Sequence, residues 1–171
     1  WRWAPNDRVW TWMGGSAEAQ SPGTHTSPSS RSGHAVWVDG AGRWLLFGGF
    51  GVADGFREVS GPLNDLWMLT WQPGSRAREN LPFWVPVTVS SNSPAPPGRW
   101  GHAAYYDPIN VWEEDGEGAL QPVLDNRSVV VLGGRDGVTK YSDAWQFSVR
   151  SNSWRLVESM MDSNIVHLSV I

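Results

Sequence analysis

An all-β fold of short antiparallel strands is predicted by composition, by local periodicity and by an internal repeat. The 171 residues contain 19 glycines and 12 prolines. These residues punctuate short runs rich in Val, Trp, Phe and Tyr, the pattern of strands joined by tight connections. No apolar spacing at the helical period is sustained. In "DAWQFSV" (Asp143 to Val149) the residues Trp145, Phe147 and Val149 fall on one face, while Gln146 and Ser148 fall on the other. That is the two-residue alternation of a strand. A stretch beginning Arg-x-Gly-His, "RSGHAVWVDGAGRWLLFGG" (Arg31 to Gly49), returns later as "RWGHAAYYD" (Arg99 to Asp107) and "SVVVLGG" (Ser128 to Gly134). Such a return marks a repeat architecture.

In chain order, "RVWTWM" (Arg8 to Met13) alternates and stops at Gly14-Gly15. It is followed by "GHAVWV", "WLLFGG", "DLWMLTW" (Asp65 to Trp71) and "FWVPV" (Phe83 to Val87). The same order recurs as "GHAAYY", "VVVLGG", "DAWQFSV" and "SWRLV" (Ser153 to Val157). Each set reads as four strands. "WLLF" and "VVVL" are apolar throughout, so these inner strands are expected to be covered on both faces. The landmarks keep their order while the intervals between them change, as when loops absorb insertions between fixed strands.

The opening segment "WRWAPNDRVWTW" aligns with "WQFSVRSNSWRL". The alignment sets Trp1, Trp3 and Trp10 against Trp145, Phe147 and Trp154. The organisation expected is therefore the second half of a sheet unit over 1–20 and complete units over 21–90 and 91–158. The last unit carries an insertion at 107–125, and a tail or the start of another strand follows over 159–171. Two and a half such units would leave apolar faces uncovered, so the chain reads as a fragment of a larger ring, with further units of the same protein or other copies completing it.

The ordered set Arg-x-Gly-His, double glycine, Asp-x-Trp-x-aromatic and Trp-x-x-Leu resembles the kelch repeat of β-propellers. It is carried by Arg31, Gly33, His34, Gly48, Gly49, Asp65 and Trp67, with Trp84 as a delayed fourth-strand Trp. It is carried again by Arg99, Gly101, His102, Gly133, Gly134, Asp143, Trp145, Phe147 and Trp154. Leu69 departs from the pattern where a second aromatic usually stands. The resemblance implies a propeller segment of four-stranded antiparallel blades, an incomplete ring. Stacked blades need apolar faces, and Trp fills the wedge that widens between them. Glycine permits positive φ and close backbone approach. The Arg, His and Asp are expected to brace strands and turns by hydrogen bonds.

With 13 basic against 17 acidic side chains, the net charge is −4 and no basic cluster is visible, which disfavours nucleic acid as a partner. Lys140 is the single lysine. The other basic residues are arginines, the better cation for stacking on indole, and the chain holds 13 Trp. There is no Cys, which removes disulfides and thiolate sites. No signal-peptide pattern and no long apolar run occurs. His25, His34, His102 and His167 lack metal-ligand spacing, so neither a metal nor a cofactor is expected. No G-x-S-x-G elbow is found. Asn126-Arg127-Ser128 matches the glycosylation sequon.

Two regions could contact partners. The segment from Asp107 to Asp125 holds six acidic residues and no basic one, the composition of a solvated loop or of a docking loop for a basic partner. In kelch adaptors the loops after the double glycines open on the partner-receiving face. By that resemblance the candidate contacts are Phe50 and Arg57, then Arg135 and Asp136; the competing reading of the second loop is a plain turn cornered by Asp136-Gly137. Three function classes follow. The first is a non-catalytic protein-interaction or scaffold module, with a protein partner and without membrane insertion. The second is the propeller part of a carbohydrate-active or copper-oxidase enzyme of the galactose oxidase kind. The third is an architectural component of an extracellular or filamentous assembly.

Overall fold

The computed structural model describes residues 1–12, 14, 16, 21–24, 26–40, 42–52, 59–71, 82–107, 111–114, 120–123 and 128–159. Their regular structure is entirely antiparallel strand.

A two-stranded ribbon opens the chain, β1 (Arg2–Ala4) against β2 (Val9–Thr11). The next sheet contains β3 (Arg31–Ser32), β4 (Ala35–Val38), β5 (Trp44–Val52), β6 (Ser60–Trp71) and β7 (Pro82–Pro86). Both β3 and β4 pair with β5, so they are one edge strand interrupted at Gly33-His34, and the sheet is four strands wide. The last sheet runs β8 (Ala103–Asp107), β11 (Ser128–Arg135), β12 (Lys140–Ser148) and β13 (Ser153–Ser159), in the order β13-β12-β11-β8. A separate hairpin, β9 (Val111–Glu114) with β10 (Leu120–Val123), leaves it between β8 and β11. These are partial propeller blades, and no ring is closed among the described residues.

The apolar inner strands are covered on both faces: Leu45, Leu46 and Phe47 in one sheet, Val129, Val130 and Val131 in the other, are all buried. Alternation explains how the two sheets meet. Leu45 and Phe47 of β5 face the last sheet, where Val129, Val131, Trp145, Phe147 and Trp154 share the facing layer. The Trp154 ring lies 4.9 Å from Phe47 across the joint and 5.0 Å from Phe147 within its own sheet. Burial of such rings is the dominant favourable term in a fold of this kind.

The connector 87–102 stitches the sheets together. Ser93 Oγ accepts from Trp154 N at 2.6 Å, and Ser90 N donates to Asn152 O at 2.8 Å. Further along, Arg99 N donates to Leu63 O and Gly49 N donates to Arg99 O, at 3.0 and 2.9 Å.

The ribbon repeats the outer half of the last sheet in detail. Trp3 pairs with Trp10 as Phe147 pairs with Trp154. Arg8 and Asn152 occupy the corresponding turn position, and both have positive φ (53° and 49°), uncommon for residues other than glycine.

The double glycines do not end their strands, contrary to the sequence expectation. Both β5 and β11 run on through them with a shift of register at Gly48 and at Gly133. The strand bends at a bulge and carries its next residues, Phe50 and Arg135, onward. The tail 160–171 lies outside the described residues.

Candidate functional site

The site is built on two copies of one polar brace. In the first, Arg31 donates from Nε to the Ser29 carbonyl and from Nη1 to the Gly48 carbonyl, both at 3.1 Å, and pairs with both oxygens of Asp65. Asp65 Oδ2 in turn accepts from Trp67 Nε1 at 2.6 Å. In the second, Arg99 reaches the Pro97 carbonyl (3.2 Å), the Gly133 carbonyl (2.8 Å) and both oxygens of Asp143, and Asp143 Oδ2 accepts from Trp145 Nε1 at 2.7 Å. The Arg thus ties the strand entrance to the glycine bulge, and the Asp passes the tie to the core indole. Burial alone would raise the Asp143 carboxyl, but the hydrogen bonds from Arg99 and Trp145 outweigh it and hold it below its ordinary value.

His102 departs from the expected hydrogen-bond bracing. His102 is buried, and neither ring nitrogen reaches a hydrogen-bond partner. The imidazole packs edge-on against Phe47, with centroids 5.4 Å apart. A Cβ on Gly134 would stand 2.9 Å from His102 Cβ, and one on Gly49 would stand 3.0 Å from His34 Cβ. The second glycine of each pair is therefore the floor on which the motif His sits. Burial, reinforced by the Arg99 charge, lowers the His102 pKa to about 4, against a smaller opposite pull from the Phe47 backbone.

Beyond the bulges the chain presents the candidate contact residues. Ser32 pairs with Phe50, and Trp100 pairs with Arg135 at the corresponding place in the last sheet. Gly101 N donates to Gly33 O at 2.8 Å, which joins the two rows. Trp100 consequently touches both expected contacts. Its ring meets the Phe50 ring edge-on at 6.0 Å, and the Arg135 guanidinium lies over it at 3.7 Å. Phe50 is 39% exposed and Arg135 is exposed. Together the three form a ledge running from one sheet to the next.

Two expected contacts stand elsewhere. Asp136 occupies a turn: Oδ1 accepts from Val138 N (2.9 Å) and Thr139 N (2.7 Å), and Oδ2 accepts from the Tyr141 hydroxyl (2.8 Å). The Thr139 amide, then the Tyr141 hydroxyl and the Val138 amide, hold its pKa below the ordinary value. Its carboxylate is engaged in shaping the turn, with Gly137 at φ 104° as the corner. Arg57 lies outside the described residues.

Sequence reasoning missed Trp100 because it occupies the variable position of Arg-x-Gly-His, held by Ser32 in the first copy. The signal available was register: the x position lies opposite the residue that follows the glycine pair.

A groove of about 1030 Å³ separates the ribbon from the neighbouring sheet, lined by Trp1, Trp12, Trp44, Phe83 and Trp84 with a Ser/Thr rim. Among the described residues its lining includes no Asp, Glu or His, and its indoles offer stacking surface. Among the described residues no three His, Asp or Glu converge as metal ligands would. No helix among them is long and apolar enough to cross a membrane.

Comparison with known proteins agrees with this geometry. A family model described as the kelch motif matches residues 122–161. Over 132 residues, 77% of the chain, the sequence is 30% identical to the dynein alpha chain of the flagellar outer arm from Chlamydomonas reinhardtii. The chain spans about 2% of the length of that relative.

Proposed function

We propose that this kelch-motif chain, a set of partial propeller blades, serves as a non-catalytic protein-interaction module within a larger protein. The observation that carries the reading is the Phe50–Trp100–Arg135 ledge. An exposed aromatic ring, an indole and an arginine sit side by side across two sheets held rigid by the twin Arg–Asp–Trp braces. Aromatic residues and Arg are the residue types that dominate binding energy at protein interfaces. A stiff support lowers the entropy cost of presenting them.

A second reading, a structural element of a filamentous assembly, draws on the similarity to a flagellar dynein chain. The two differ in whether the ledge is used. Affinity capture on the full-length protein, native against Phe50→Ala/Trp100→Ala, separates them. Loss of a specific partner with unchanged circular dichroism supports an interaction ledge. Retention of every partner overturns it in favour of the structural reading.

A further inference from the structure

The ledge continues past Arg135. In the register of the last sheet Trp100 pairs with Arg135, and Arg135 pairs with Lys140. Directly opposed residues project to the same face with Cβ atoms roughly 5 Å apart. The row therefore passes from apolar to basic: Phe50, Trp100, Arg135, Lys140. Both cations are exposed. Among the described residues neither is paired with a carboxylate, for the ion pairs there are Arg31–Asp65, Arg43–Asp39 and Arg99–Asp143. The adjacent Asp136 spends both of its oxygens on its own turn and on Tyr141.

The geometry favours recognition over solvation. A guanidinium lying flat on an indole keeps its in-plane N–H donors at the rim, where they point outward. The Arg135 guanidinium carbon stands 3.7 Å from the centre of the Trp100 ring, so the cation rests against the indole before any ligand arrives. A planar donor fork so held matches a carboxylate in bidentate fashion.

Resting on the interaction reading above, we infer that the ledge takes an acidic peptide segment in extended form. One large apolar side chain is seated on Phe50 and Trp100, and carboxylates are set against Arg135 and Lys140. In an extended segment every second side chain shares a face, so alternate acids would meet the two cations of one row. This partner chemistry is opposite in sign to the basic partner that the acidic segment 107–125 would attract, so the two regions address different surfaces.

The test is fluorescence anisotropy of the full-length protein with two labelled peptides, FGEGEG and its neutral counterpart FGQGQG, in which the Phe and the alternate acids share one face. The acidic peptide is expected to bind about tenfold more tightly, and the preference to shrink as salt rises from about 0.05 to about 0.5 M. Arg135→Gln/Lys140→Gln should erase the preference, whereas Phe50→Ala should weaken both peptides alike. Lys140→Gln alone, at an exposed position, keeps the test valid if loss of Arg135 disturbs the ledge. Equal binding of the two peptides overturns the acidic specificity and leaves the interaction reading standing. So does absence of binding by either peptide while the ledge variant still loses its cellular partner. Tighter binding of a phosphopeptide or of duplex DNA than of FGEGEG also overturns it.

Discussion

Arg99 and Asp143 are joined through both carboxylate oxygens, at 2.6 and 2.9 Å, with the Arg side chain wholly buried. Removing one partner of such a pair strands the other charge away from water. Asp143→Ala is expected to cost about 3–5 kcal/mol in urea unfolding of the last sheet. Asp65→Ala is expected to cost less, because Asp65 is 29% exposed and water can replace part of what is lost. Equal costs at the two positions would contradict this reading of the brace.

The glycine pairs separate two reasons for needing glycine. Gly134 has φ 95°, and a Cβ there would meet His102 Cβ at 2.9 Å and Trp100 O at 3.1 Å. Gly137 has φ 104° but open space around it. Gly137→Ala should cost only the backbone term, about 1 kcal/mol, and Gly134→Ala about 3 kcal/mol with displacement of Trp100. Thermal unfolding together with near-ultraviolet circular dichroism of the indoles checks both.

Position in the repeat does not by itself set the value of a tryptophan. Trp154 is 3% exposed between Phe47 and Phe147, whereas its counterpart Trp10 is 59% exposed beside Trp3. Trp154→Ala should destabilise by about 3–5 kcal/mol, and Trp10→Ala by about 1 kcal/mol or less. Denaturant midpoints of the two variants measure the difference directly.

Acid should loosen the joint between the sheets before it breaks the Arg–Asp braces. The folded His102 pKa, about 4, lies below the ordinary 6.5, so the unfolded chain binds more protons between those values. Stability is therefore intact above pH 6.5 and declines as the pH falls toward 4, by up to about 3 kcal/mol for this group. His34, also shifted down by burial and then by Arg31, contributes in the same direction. The Asp143 contribution, with its pKa held below 3.8, is lost only at lower pH. His102→Gln should flatten the profile of urea midpoints between pH 6.5 and 4; an unchanged slope would contradict the assignment.

The parts of the fold that were legible in the sequence were those dictated by side-chain type. Fully apolar runs such as Leu45 to Phe47 announced two-sided burial, and Asp143 to Val149 announced alternation. The partial-blade architecture and the kelch motif followed from the order of those landmarks. Less legible was anything set by register. The bulge at Gly48 carries β5 on to Val52, and the pairing of Trp100 with Arg135 depends on two residues 35 positions apart meeting after β8, the β9–β10 hairpin and β11 have been laid down between them. His102 was misread in role because a polar side chain suggests a partner, whereas burial against Phe47 keeps this one neutral.

On the reading proposed above, a protein partner sits on the ledge of Phe50, Trp100 and Arg135. Hydroxyl-radical footprinting of the full-length protein, alone and in its native complex, tests it most directly. Protection concentrated on Phe50 and Trp100, with Trp1, Trp3 and Trp10 of the ribbon still reactive, is the result predicted. Protection of the ribbon indoles with Phe50 and Trp100 unchanged would contradict it.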